Sequence, residues 1–131
     1  MHSIIYVSTA TTPLAPDQLE TLAGEAAEKN EPRGITGLLA YNGFNFMQLL
    51  EGDEDAVEER LDRIKDDPRH SGVVVVRRET VEGRECGAWF MAARTTPLAG
   101  LGPADALRDA LPDSLREETR RLFSSFASLV R

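Results

Sequence analysis

From the amino terminus, residues 3–9 read SIIYVST, a β-branched and aromatic run that gives way to the polar TATTP. Such a run predicts a strand. A helix follows, because Leu19, Leu22, Ala23, Ala26 and Ala27 recur at helical spacing on one face. Asp17 is its expected cap, with Glu20 three residues on completing a capping box. Asn30 extends the same stripe just before Pro32 and Gly34 stop the helix. The inward face is therefore small-chained and ends in an amide.

ITGLLAY, Asn42-Gly43 and FNFMQLL come next, two strand patterns around the strongest short turn signal in the chain. A two-residue type I′ loop would set Tyr41 opposite Phe44 and, counting back, Gln48 opposite Gly37. A second helix is expected over roughly 53–66, where Val57, Leu61 and Ile64 supply an apolar stripe and Pro68 closes it. Residues 72–79 (GVVVVRRE) and 84–92 (RECGAWFMA) read as two more strands joined by the turn TVEG. The order βαββαββ predicts an α+β fold, a ferredoxin-like mixed sheet with two helices on one face and the first and third strands adjacent at its centre. Tyr6 and Gln48 become neighbours in that arrangement.

After Pro97 the chain loosens into LAGLGP, and residues 104–111 and 114–130 look helical, the latter capped by Ser114 with Glu117. Leu115, Leu122, Phe123, Phe126, Leu129 and Val130 share one apolar side, which must cover the outer sheet face or another subunit. The expected division is a domain over 1–97, then a linker and C-terminal helices over 98–131 serving packing, oligomerisation or output.

A chain of 131 residues builds one core. Its net charge of −7 argues against direct contact with nucleic acid or anionic lipid. The start MHSIIYVSTA lacks a basic leader region, and no apolar run approaches the ~18 residues of a membrane span, so a soluble, cytoplasmic protein is expected. The single Cys86 rules out an internal disulfide, and it reads as a small strand residue rather than a nucleophile. With only His2 and His70 besides, no metal site is expected.

Alternation places Phe44, Phe46, Gln48 and Leu50 on one strand face and Met47 and Leu49 on the other, so Gln48 should be at least half buried. A buried amide needs partners, since leaving one unpaired costs about 1–3 kcal/mol. Pattern alone leaves two readings of Gln48 open, a structural bond to a neighbour or contact with a ligand. Tyr6 and Asn30 taken singly read as structural. Taken together, a phenol and an amide on adjacent central strands and a second amide ending an alanine-lined helix suit a planar heteroaromatic ligand with polar edges. Arg77 and Arg78 are expected at a strand edge, and the acidic run EGDEDAVEE as a helix start with a solvated face.

Over residues 2–95 the sequence resembles the BLUF family, blue-light sensors using flavin. The resemblance is carried by IYVS with Tyr6, Asn30 followed by GITGLL, FMQLLEG with Gln48, DPRH at 67–70, and WFM with Trp89 and Met91. It implies a non-covalent flavin, FAD or alternatively FMN, held between the two helices. Tyr6 would hydrogen-bond Gln48, which contacts the flavin N5 and O4 side, and Asn30 would bind the carbonyl and imide edge. Arg63 and Asp67 match polar flavin contacts, with His70 near that end of the site. Trp89 and Met91 match a fifth-strand pair, one of which approaches the glutamine. The implied photochemistry moves an electron and a proton from Tyr6 and leaves Gln48 rotated or tautomerised.

Two positions depart from the family pattern. Lys29 stands where many members carry a second polar ring contact, and Cys86 where an aromatic is usual. The resemblance further implies a non-enzymatic photoreceptor that signals to a separate partner protein, as a chain this short leaves no length for a fused catalytic domain. The apolar side of residues 115–130 points to a homodimer or larger assembly. The competing readings are a small ferredoxin-like enzyme of acylphosphatase type, which the absence of a phosphate-cradling glycine loop disfavours, and a non-photoactive ligand-binding or assembly module.

Overall fold

The computed structural model describes residues 1–86, 92–95 and 113–127. β-Branched and aromatic residues extend the chain in β1 (His2–Ala10), and α1 (Pro16–Asn30) follows. A short 3₁₀ turn at Glu31–Arg33 ends on Gly34, whose φ of 67° is the left-handed conformation that lets the chain reverse into β2 (Thr36–Tyr41). Then come β3 (Asn45–Gly52), α2 (Glu54–Lys65), β4 (His70–Thr80), β5 (Ala92–Thr95) and α3 (Glu117–Ala127).

The five strands lie in the order β4-β1-β3-β2-β5. β1 pairs antiparallel with both β3 and β4, β2 pairs antiparallel with β3, and β5 joins β2 in parallel. The α+β, ferredoxin-like architecture expected from the pattern is present, with β1 and β3 adjacent at the centre. One face, carrying Ile4, Tyr6, Leu39, Phe46 and Leu50, packs under α1 and α2 through Leu19, Leu22, Val57, Leu61 and Ile64. The other, carrying Ile5, Leu38, Ala40, Met47 and Leu49, packs under Phe123 and Phe126 of α3 and Leu115 before it. Burying each phenylalanine contributes roughly 1.5–3 kcal/mol to holding that helix down.

Several expectations need correction. The hairpin loop has four residues, not two: Tyr41 faces Phe46, and Gln48 faces Leu39 rather than Gly37. The cause is Asn42, whose Oδ1 accepts the N–H groups of Phe44 (3.0 Å) and Asn45 (2.7 Å) and so forms its own turn. Only Gly43 has positive φ there. The register moves by two residues, so Gln48 keeps its face. In α1 the cap is Ala15 rather than Asp17; Pro16 begins the helix, and Gln18 Oε1 accepts the Ala15 N–H at 2.7 Å.

Of the strand expected at 84–92, residues 87–91 lie outside the described residues, and Ala92 begins β5. Residues 84–86 are not strand, and β5 lies at the opposite edge of the sheet from β4, paired with β2, so the two do not form the expected hairpin. Cys86 is accordingly buried in a bend rather than in a strand. Ser114 does not cap the last helix; its hydroxyl donates to the Glu85 carbonyl, and α3 starts at Glu117. The helix expected at 104–111, and Leu129 and Val130, lie outside the described residues. The described part of the 115–130 apolar face is occupied by the chain's own sheet, which removes that ground for expecting a homodimer or larger assembly.

β4 carries two one-residue register shifts against β1, between Ile5 and Tyr6 and between Val7 and Thr9. Gly72, at φ 60°, lies in the second. Between the shifts Val73 and Val75 pack on the α1–α2 side. Beyond them the alternation inverts. His70 then turns to the α1–α2 side, Arg78 reaches Glu58 of α2 at 2.9 Å, and Arg77 points the other way to Thr119 of α3 at 2.8 Å.

Candidate functional site

Tyr6 and Gln48 are directly opposed on the two central strands. Both are buried, and the Tyr6 phenol donates a hydrogen bond to Gln48 Oε1. Burial pushes the phenol pKa well above its ordinary value, opposed by the charge of Arg60, so Tyr6 is a neutral donor.

Above this pair lies a cleft between α1, α2 and the sheet. Its floor is Leu39 and Gln48; Leu22, Ala26, Lys29 and Asn30 of α1 form one wall, and Arg60 and Ile64 of α2 with Asp67, Arg69 and His70 form the other. Asn30 is the last residue of α1 and 1% exposed. Gln48 and Asn30 therefore offer two amides to one slot, with the small Ala26 in its wall.

The rim is built by a fork. Asp67 accepts from Arg69 through its backbone N–H (2.9 Å), Nε (3.1 Å) and Nη2 (2.8 Å). The bond from the Arg69 guanidinium holds the Asp67 carboxyl down at about 2. Arg69 Nη1 also donates to Glu25 Oε2 at 2.9 Å, strapping α1 to the turn after α2. Arg60 is half-buried in the same wall, and burial, reinforced by Arg63, lowers its pKa.

His70 stands beside the phenol. Its Nδ1 lies 2.9 Å from Ser8 Oγ, its ring is 4.7 Å from that of Phe46, and it meets Tyr6 edge-on at 6.2 Å. Burial lowers its pKa, so the imidazole is neutral near pH 7.

Of the residues singled out from the sequence, Tyr6, Asn30, Gln48, Asp67 and His70 converge here. Arg63 does not. Its side chain is 69% exposed and its partner is Glu59 at 3.6 Å, because the inward face of α2 is set by Val57, Leu61 and Ile64 and position 63 falls off it. Trp89 and Met91 lie outside the described residues. Arg60, Arg69 and Glu25 were not anticipated. The signal for Arg60 was its spacing, three after Val57 and four before Ile64. For Arg69 it was Asp67 two residues earlier, in reach of a forked pair.

This donor set fits a planar heteroaromatic group: two buried amides to read a polar edge, an aspartate–arginine fork at the rim, and apolar side chains for its faces. Comparison with known proteins agrees. Residues 1–92 match the family described as "BLUF: Sensors of blue-light using FAD". The chain is 32% identical to the photoactivated adenylate cyclase subunit beta of Euglena longa over 130 residues, 98% of this chain and 14% of that protein, so it spans about one seventh of that relative's length. A structure of Klebsiella pneumoniae BlrP1 with FMN and cyclic diGMP is similar at 33% identity and a TM-score of 0.81, covering 97% of this chain and 34% of that one. The dark-state structure of the BLUF protein BlrB is similar at 26% identity and a TM-score of 0.73, covering 97% and 95%.

Proposed function

The chain belongs to the BLUF family of blue-light sensors using FAD, and from that premise we propose that Tyr6 and Gln48 are its photochemical switch. The observation that carries this reading is the buried Tyr6–Gln48 hydrogen bond at the floor of the cleft. A flavin bound there supplies a light-excited acceptor of an electron and a proton. Tyr6 is a neutral phenol with its proton already aimed at Gln48 Oε1. Gln48 has one end that donates and one that accepts, so rotation or tautomerisation exchanges its hydrogen bonds without changing its shape. Burial excludes water that would otherwise offer Tyr6 a competing partner.

Asn30 would read the carbonyl and imide edge of the ring, and Asp67, Arg69 and His70 its opposite end, with Arg60 beside them. FAD is the family's flavin, and FMN, found with BlrP1, would present the same ring to these residues. The chain itself performs no catalysis in this reading, and its signal passes to a separate protein through α3, which backs the strands that carry Tyr6 and Gln48.

The test is the visible spectrum of the flavin-loaded protein before and after blue light. Wild type should show a small, reversible red shift, while Tyr6→Phe and Gln48→Leu should bind flavin and lack it. A normal photocycle in either variant would overturn the assignment, and a wild-type chain that binds flavin without any shift would make it a non-photoactive flavin-binding module.

A further inference from the structure

Glu51 is a carboxylate with none of its side chain in water, on the same strand as Gln48 and three residues beyond it. Strand alternation aims the two at opposite faces, Gln48 into the cleft and Glu51 toward the α3 side. There its oxygens accept from the Thr36 hydroxyl at 2.9 Å, the Glu85 N–H at 2.8 Å and the Cys86 N–H at 2.6 Å. Two consecutive backbone amides outside any strand are thus bound to one buried carboxylate. Burial of such a group is costly unless its bonds are made, so its geometry is held tightly.

The segment it holds is tied to α3 from the other side. The Glu85 carboxylate accepts the Arg116 N–H at 2.8 Å and Arg77 Nη2 at 3.2 Å, and the Glu85 carbonyl accepts from Ser114. Arg77 Nη1 continues to Thr119 within α3 at 2.8 Å. Burial raises the Glu85 carboxyl, but the bonds from the Arg116 N–H, Thr119 and the Arg116 guanidinium outweigh it and bring its pKa below the usual value. Glu85 is therefore a charged hub joining β4 and the start of α3.

We propose that Glu51 is a positioning residue for signal output: it couples displacement of the Gln48 strand to the 85–86 bend, and through Glu85, Arg77 and Arg116 to the docking of α3. The inference rests on the Tyr6–Gln48 reading as the source of that displacement. A shift of β3 along its axis moves the Glu51 carboxylate against two amides that have no neighbouring strand to hold them. Arg84 Nη1 reinforces the β3 side of this joint, donating to the Thr36 hydroxyl at 2.8 Å and to the Glu51 carbonyl at 3.3 Å, while the Arg77 and Arg116 guanidinium groups bind Glu85 on the α3 side.

The test is light-minus-dark hydrogen exchange on the flavin-loaded full chain, read at Glu85, Cys86 and 117–127 together with the visible spectrum. In wild type, illumination should change exchange at both amides and along α3. Glu51→Gln keeps the shape but turns a donor toward one of those N–H groups, so exchange there should rise roughly tenfold or more in the dark. The flavin band and its red shift should persist, while the light-dependent change in α3 is lost. An unchanged light response of α3 in Glu51→Gln would overturn the proposal. So would a wild-type response in α3 with none at Glu85 and Cys86, which needs no variant to fold. Loss of the spectral shift in wild type would instead overturn the Tyr6–Gln48 reading on which this one stands.

Discussion

The Tyr6–Gln48 bond can be measured apart from any photochemistry by a double-mutant cycle. Tyr6→Phe removes the donor and keeps the ring, which is fully buried. Gln48→Leu removes the acceptor and leaves the phenol hydroxyl buried without it, a penalty of about 1–3 kcal/mol. In the double variant no hydroxyl remains to be stranded. Its destabilisation should therefore fall short of the sum of the single effects by about 1–2 kcal/mol. Urea unfolding of the four proteins under matched, flavin-free conditions, followed by circular dichroism, reads the difference. Additivity to within about 0.5 kcal/mol would show that the two side chains are merely adjacent, and the switch would lose its structural basis.

Phe123→Ala should cost about 3–5 kcal/mol in urea unfolding, since Phe123 is wholly buried against the sheet, and should speed thiol labelling of Cys86, which shares that cluster. A cost below about 1 kcal/mol would mean that α3 is not docked as described. Acid should weaken the fold in two steps. His70 has a folded pKa below its ordinary 6.5, so the unfolded chain takes up the proton first and stability falls as pH drops below 6.5. Asp67 is lowered from 3.8 to about 2, so its contribution, on the order of 1–2 kcal/mol, is complete above 3.8 and lost between there and about 2. Urea midpoints across pH should show both losses; Glu58 and Glu85 are also held below the usual carboxyl value and lose stability in the same acid range, so Asp67→Asn should reduce the lower loss without erasing it, and an unchanged lower loss in that variant would refute the assignment.

Much of this arrangement was legible from periodicity. The β-branched runs, the Asn42-Gly43 turn and the alanine-lined helix placed Tyr6 beside Gln48 and Asn30 on the same side of the sheet. The loop length escaped because it is decided by a side chain: Asn42 could have supplied backbone for a two-residue turn, and instead its Oδ1 captures two amides. The path of the chain after β4 escaped for a different reason. Strand patterns say nothing of which edge a strand joins, and TVEG looks the same whether or not it closes a hairpin. Arg63 and Arg69 show the limit in the site itself. Both are arginines near the same turn, but helical phase turns Arg63 to solvent while Asp67 folds Arg69 back over the cleft.

The two register shifts in β4 make that strand a sequence read in more than one frame. Arg77 and Arg78 are consecutive in a strand and would face opposite sides anyway, but the frame decides which arginine goes to which layer: Arg78 to α2 through Glu58, Arg77 to α3 through Thr119. The same logic at Gly72 selects His70 over Ser71 for the cleft. A one-residue deletion here would therefore act less like a shortening than like a transposition, exchanging residues between the α1–α2 layer and the α3 layer while leaving the length of the sheet almost unchanged.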